Sequence, residues 1–209
     1  QDMYLSISPE LYLKRFIVGG MEKVYTICKN FRNEDIDVMH NPEFTMMECY
    51  QAYSDYNGMM ELTEQMTAYI CEEVLGKTKI SYQGKELDFS PPWTRMTMES
   101  AVQKIAGIVV PESESELRRL IEKHQLEVKY RISRPNVINA VFEKVVQPRI
   151  IQPTFVMDYA RDVSPLTREH RTKVGWVERF ELFVIGTEFA NAYSELNDPF
   201  DQRQRFLEE

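Results

Sequence analysis

The chain has 209 residues, 43% of them hydrophobic and 28% charged, enough apolar content to bury a sizeable core in one compact domain. Its formal net charge of −8 excludes a predominantly basic nucleic-acid-binding surface, so most contacts with any RNA partner are expected elsewhere. No apolar run reaches the roughly twenty residues that cross a bilayer, and no signal-peptide pattern is read in the first residues of this sequence. The three cysteines, Cys28, Cys49 and Cys71, lack metal-ligand spacing and read as reduced core thiols of a cytosolic protein.

In chain order, Met3 to Ser8 alternates like a short strand and stops at Pro9. Proline suits the first turn of a helix, so a helix is predicted from Pro9 to about Val18, capped by Ser8 and ended by Gly19-Gly20. Lys23 to Arg32 and Glu43 to Tyr50 have strand composition, and the polar stretch from Asn33 to Pro42 joins them into a long antiparallel hairpin. Tyr56 to Leu75 carries Met, Leu, Glu and Ala at helical spacing, with Met59, Met60 and Met66 as core fillers and Gly76 as the stop. A small hairpin follows from Lys79 to Phe89, turning at Gln83-Gly84, and the Pro-Pro-Trp break at Pro91 precedes a helix from about Thr97 to Ala106. Glu112 to Gln125 is a charge-laced amphipathic helix with a solvated His124, and a further helix from about Pro135 to Val146 turns apolar residues toward a sheet. Pro153 to Tyr159 and Val177 to Ile185 read as core strands, Gly186-Thr187 as a turn, and Glu188 to Glu195 as the last strand. The basic run Arg168 to Lys173 is predicted to be a solvated loop.

Parity along the strands picks out the chemistry. Phe44, Met46, Glu48 and Tyr50 share one face of the second hairpin strand, so Glu48 sits in an apolar wall and needs a cationic partner, from the protein or from a ligand. Arg32, at the mouth of the hairpin loop, could be that partner, or could grip a phosphate or carboxylate with two parallel hydrogen bonds. On the last strand Asn191, Tyr193 and Glu195 share a face. Glu181 and Glu188 would fall on opposite faces of a regular strand pair, so joint work requires a turn or bulge to re-aim one of them.

The strings SPELYLKR, FRNEDIDVMHNPEFT, QPTFVMDYARDVSPL and AYSELNDPFDQRQRF resemble the class II lysyl-tRNA synthetases, and the resemblance covers nearly the whole chain. It implies an α+β class II catalytic fold, an antiparallel sheet flanked by helices, with residues 1–209 part of one catalytic domain and about 97–150 a helical peripheral insertion. It implies ATP and Mg²⁺ as substrate and metal, with L-lysine and tRNA(Lys) as partners, in a cytoplasmic homodimer when full-length. Arg32 would hold the α-phosphate and the substrate carboxylate, Glu34 the adenine amino group, and Phe44 would stack on adenine, with His40 and Asn41 beside the phosphates. Glu10 would meet the α-amino group, Asn191 the lysine carboxylate, and Glu48, Tyr50 and Glu195 the ε-ammonium, with Tyr193 a further residue of the lysine site. Glu181 and Glu188 would bind Mg²⁺ and ATP. Motif 1, motif 3 and an anticodon-binding barrel are not present in these 209 residues, so the isolated chain is expected to be catalytically silent and prone to associate. A paralogue that lysylates a protein, or a non-catalytic amino-acid or nucleotide sensor, are the competing expectations.

Overall fold

A computed structural model describes residues 2–37 and 40–208, which form two compact units, Gln1–Ser54 and Asp55–Glu209. The first contains helix α1 (Glu10–Val18) and the hairpin β1 (Lys23–Phe31) and β2 (Glu43–Gln51). The predicted Ser8 cap is moved by one residue. Pro9 is the N-cap, and its carbonyl accepts from Leu13 at 3.0 Å, while the Ser8 hydroxyl accepts from the Glu10 amide at 3.2 Å. The predicted strand from Met3 to Ser8 is absent. Among the described residues this stretch meets β1 through two hydrogen bonds, Phe31 N–H to Ser6 O at 2.7 Å and Ser6 Oγ–H to Asn30 Oδ1 at 3.1 Å, too few for a ladder, and Met3, Tyr4, Leu5 and Ile7 are exposed.

The hairpin register pairs Asn30 with Phe44 and Thr26 with Glu48. Arg32 therefore lies beyond the last pair, far along the strand from Glu48, which answers in the negative whether these two can be cross-strand partners. Burial alternates along β2 as the parity argument requires, with Phe44, Met46, Glu48 and Tyr50 half-buried and Glu43, Thr45 and Met47 exposed.

In the second unit the helix α2 (Tyr56–Leu75) starts at Asp55, whose carboxylate accepts from the amides of Asn57 and Gly58, and ends at Gly76 in the left-handed conformation that glycine adopts without a Cβ penalty. The small hairpin β3 (Lys79–Tyr82) and β4 (Lys85–Asp88) turns at Gln83-Gly84, both with positive φ, as a two-residue turn matched to strand twist requires. The main sheet has the order β5 (Thr94–Thr97), β6 (Thr154–Ala160), β7 (Trp176–Val184), β8 (Thr187–Tyr193). It is antiparallel except that β5 runs parallel to β6. The four-residue β5 was missing from the sequence reading because the Pro-Pro-Trp break hides so short a strand.

Both faces of this sheet are covered. One carries Phe155, Phe180 and Leu182 against Tyr56 and Met60 of α2 and against Phe89 and Trp93. The other carries Val156, Tyr159, Val177 and Phe183 against the helical stretch that follows β5. That stretch comprises α3 (Met98–Ala101) continued by a π turn to Ala106, α4 (Glu114–His124), and α5 (Arg134–Val141) continued by a π turn to Val146. Val102, Val137, Ile138, Val141, Phe142 and Val146 are at most 1% exposed, so α3 and α5 with their extensions pack as a layer on the sheet, whereas α4 buries Leu117 alone. A final helix α6 (Pro199–Glu208) is tied by Arg205 to the carbonyls of Ser164 and Thr167. Among the described residues no helix is long and apolar enough to cross a membrane, and all three cysteines are free thiols.

Candidate active site

In the first unit, a chain of polar contacts joins α1 to β2. Glu48 accepts from the Ser8 hydroxyl at 3.1 Å and from the Tyr50 hydroxyl at 3.0 Å. Glu10 is paired with Lys14 at 2.5 Å, and the Lys14 ammonium lies 5.8 Å from the centre of the Tyr50 ring, within cation–π range. The structure thus assembles three of the predicted lysine-site residues, Glu10, Glu48 and Tyr50, and adds Ser8 and Lys14, which sequence reasoning gave no site role. Among the described residues Glu48 forms no ion pair; a half-buried carboxylate here is held by neutral hydroxyls alone.

At the other end of the hairpin, Arg32 donates its amide to Pro42 O at 2.9 Å and its Nε to Ile7 O at 3.3 Å, and its guanidinium lies over the Phe44 ring at 5.2 Å. Arg32 and Phe44 are therefore brought together. Glu34 is exposed, its amide bonded to Arg32 O, and Asn41 donates to Glu43 O at 2.8 Å. His40 stands against Asp37 at 2.9 Å; that hydrogen bond, and then the Asp37 charge, raise its pKa above the ordinary imidazole value.

In the second unit two bulges build the polar face. On β8, Asn191 pairs with Glu181 and Glu188 with Phe183, so Phe189 is an extra residue and the face alternation slips by one. Glu181 and Glu188 consequently share the face of Phe183 and Asn191, the re-aiming that their odd spacing demanded. Their turn is pinned. Ile185 and Gly186 both have positive φ, the Gly186 amide donates to Ile150 O at 2.7 Å, and a Cβ on Gly186 would stand 3.1 Å from Gln147 O. A second irregularity, at Asp158 with φ 62°, turns Tyr159 from the Met157 face to the Glu181 face. Asp158 is held in this costly conformation by the Tyr56 hydroxyl at 3.3 Å and the Lys173 ammonium at 2.5 Å.

The face so formed lines a cavity of about 320 Å³ between sheet and helical layer, with Tyr159, Arg179, Glu181, Phe183 and Glu188 from the sheet and Asn136, Asn139 and Glu143 from α5 and its extension. Burial pushes the Glu181 pKa up to about 7, Arg179 opposes the rise, and Glu188 adds to it. The Tyr159 hydroxyl is buried without a partner at hydrogen-bonding distance among the described residues, and burial and then the Glu181 charge hold its pKa well above the ordinary phenol range. Arg179 is the centre of the set. Its Nη2 donates to Glu181 at 2.6 Å, its Nε to Asn191 Oδ1 at 3.2 Å and its Nη1 to Val163 O and Ser164 Oγ, and its guanidinium lies 4.7 Å from the Tyr159 ring centre. Sequence reasoning passed over Arg179, although its position two residues before Glu181 already put it on the same strand face.

The predicted last strand is shorter than expected: β8 ends at Tyr193, and Glu195 lies beyond it, in an isolated bridge to Thr167. The basic run is the exposed loop expected at Arg171 to Lys173, and two of its charges also tie it to the fold: Arg171 pairs with Asp55 at 2.8 Å and with Glu178 at 2.7 Å, and Lys173 with Asp158. Among the described residues no group of three or more His, Cys, Asp and Glu is arranged to hold a metal ion.

The chain is a member of the class II tRNA synthetase family (D, K and N), whose profile matches residues 1–209. Within that family it is 54% identical over 213 residues to the lysine–tRNA ligase of Clostridium kluyveri and 53% identical over 213 residues to that of Clostridium novyi. It is 50% identical over 210 residues to the lysine–tRNA ligase of a Thermoanaerobacter species. In each case all of this chain is covered and 42% of the relative, so the chain spans about two fifths of the length of these curated relatives.

Proposed function

We propose that this chain supplies the substrate-binding part of a lysine–tRNA ligase, which activates L-lysine with ATP and passes the lysyl group to tRNA(Lys). The observation that carries the reading is Glu48. A half-buried carboxylate that accepts from two neutral hydroxyls, those of Ser8 and Tyr50, has capacity left for a cation such as an ε-ammonium, and by the family resemblance Tyr50 and Glu195 would be the other residues of that site. Glu10 would meet the α-amino group, and Asn191, with Tyr193 beside it, the substrate carboxylate.

In the first step that carboxylate attacks the α-phosphorus of ATP, giving lysyl-adenylate and pyrophosphate. Arg32 would hold the α-phosphate, since among the described residues its two Nη groups have no hydrogen-bond partner and suit bidentate binding of an anion. Phe44 would offer its ring to adenine and Glu34 its carboxylate to the adenine amino group, with His40 and Asn41 near the phosphates. Catalysis is then positioning and charge stabilisation, with no side-chain nucleophile.

Mg²⁺ fits Glu181 and Glu188. They share one strand face, Glu181 already carries the Arg179 guanidinium at 2.6 Å, and two protein ligands suffice for an ion that keeps waters and binds substrate phosphates. Bound there, the ion would neutralise charge on the phosphates. A cytoplasmic homodimer is part of the same reading and rests on the family resemblance. Lysine-dependent ATP–pyrophosphate exchange by the product of the full reading frame encoding this chain tests the proposal; exchange that depends on another amino acid, or none, overturns it.

A further inference from the structure

We propose that Arg179 is a positioning residue that fixes the polarity of the Asn191 amide, and through it the recognition of the substrate's α-carboxylate. The inference rests on the reading above, in which Asn191 meets that carboxylate. An asparagine amide has one accepting and one donating end, and only the donating end can bind a carboxylate. Arg179 Nε–H donates to Asn191 Oδ1 at 3.2 Å, so the oxygen is engaged on the protein side and Nδ2 is left as the end offered outward from this exposed residue. With the amide reversed, Nδ2 would face a guanidinium that has no acceptor, and Oδ1 would face the substrate carboxylate, a repulsive pairing at both ends.

The arginine can impose this because it is itself immobilised. Its other donors are committed to Glu181 Oε1 at 2.6 Å, Val163 O at 3.1 Å and Ser164 Oγ at 2.9 Å, and its plane is supported by the Tyr159 ring. Glu181 pairs with Asn191 across the β7–β8 ladder, so the planar fork reaches the carboxylate on its own strand and the amide on the next strand at once. A lysine has the charge but not the fork, and its single ammonium could satisfy Glu181 while releasing Asn191.

The test uses the product of the full reading frame with three changes, Asn191→Ala, Arg179→Lys and the two together, scored by the KM for lysine and for ATP in pyrophosphate exchange. The inhibition constant of 1,5-diaminopentane, which keeps the ε-amine and lacks the carboxylate, is measured beside them. Each single variant is expected to raise the lysine KM by about tenfold or more, as loss of a hydrogen bond to a charged group does. The double variant should be no worse than the poorer single, and diamine inhibition should stay within about twofold, a pattern set by loss of one charged partner. Ser164→Ala, which removes one anchor of the fork, should move the lysine KM the same way by less. Multiplying effects in the double variant, or a diamine constant that rises along with the lysine KM, would overturn the positioning role. An unchanged lysine KM in Asn191→Ala alone would instead show that Asn191 does not meet the carboxylate, and the reading beneath the inference fails first.

Discussion

In Gln1–Ser54 the buried residues among those described are Pro9, Leu13 and Asn30, whereas Asp55–Glu209 encloses two apolar clusters in which Phe142, Phe155, Phe180 and Phe183 are at most 1% exposed. The two units therefore hold their polar groups by different means. The hairpin unit positions Glu48, Tyr50 and Glu10 through hydrogen bonds and an ion pair at its half-buried surface. The sheet unit positions Glu181, Glu188 and Asn191 by backbone bulges set into a dense core, with Arg179 as the tie. A site group held by a core is fixed as firmly as the fold; one held by exposed hydrogen bonds is fixed only as firmly as those bonds.

The largest expected effect lies in the sheet unit. Phe155 packs against Trp93 at 5.5 Å and Phe180 at 5.1 Å, and Phe155→Ala should cost about 3–5 kcal/mol by leaving a cavity there. Both tryptophans, Trp93 and Trp176, lie in Asp55–Glu209, so denaturant unfolding followed by tryptophan fluorescence reads this unit. A loss under about 1 kcal/mol would mean the aromatic cluster is not the main support the contrast makes it.

A smaller effect concerns charge. Glu181 has a folded pKa near 7 against an ordinary 4.5, so between those values the folded chain keeps a proton that the unfolded chain releases. Stability from this group is therefore fully present at acid pH and is lost as pH rises toward and through about 7, by up to about 1.4 kcal/mol per pH unit within the window. Glu181→Gln should flatten that decline, measured as the unfolding midpoint at pH 5, 6, 7 and 8. Equal slopes in both proteins would show that the carboxyl titrates normally.

The smallest effect sharpens the comparison from the hairpin side. Ser8→Ala removes the bonds to Glu48 and to the Glu10 amide and should lower the opening free energy of β1 and β2 amides by about 1 kcal/mol in hydrogen exchange. The tryptophan-monitored transition should not move. If it shifts by the same amount, the two units do not have separate stabilities.

Much of this was legible before any coordinates. Hydrophobic period and stop signals gave α2 with Gly76 as its end, and parity together with an odd spacing called for a bulge between Glu181 and Glu188. What escaped had local signals weaker than its tertiary causes. β5 exists because β6 offers a parallel edge, and Met3 to Ser8 alternates but meets β1 at Ser6 without forming a ladder. Tyr159 changes face through a left-handed aspartate that no strand pattern announces, and the basic run spends its cations on Asp55, Asp158 and Glu178, acids far away or hidden in sequence. Ser8 did not look like a site residue, because a helix start already accounted for it, and nothing in the local pattern marked Lys14.

The extra residue Phe189 gives this part of the chain a rule about length that substitution patterns would not reveal. Removing Thr187 would allow an unbroken ladder in which Phe189 lies opposite Phe183 and Glu188 opposite Val184, so Glu188 would then point to the side of Leu182 and Ala190, away from Glu181, with every chemically important side chain still present. Conservative replacements at Phe189, 59% exposed and facing no cluster, should be borne easily. At this turn the chain tolerates changes of letter and not changes of count.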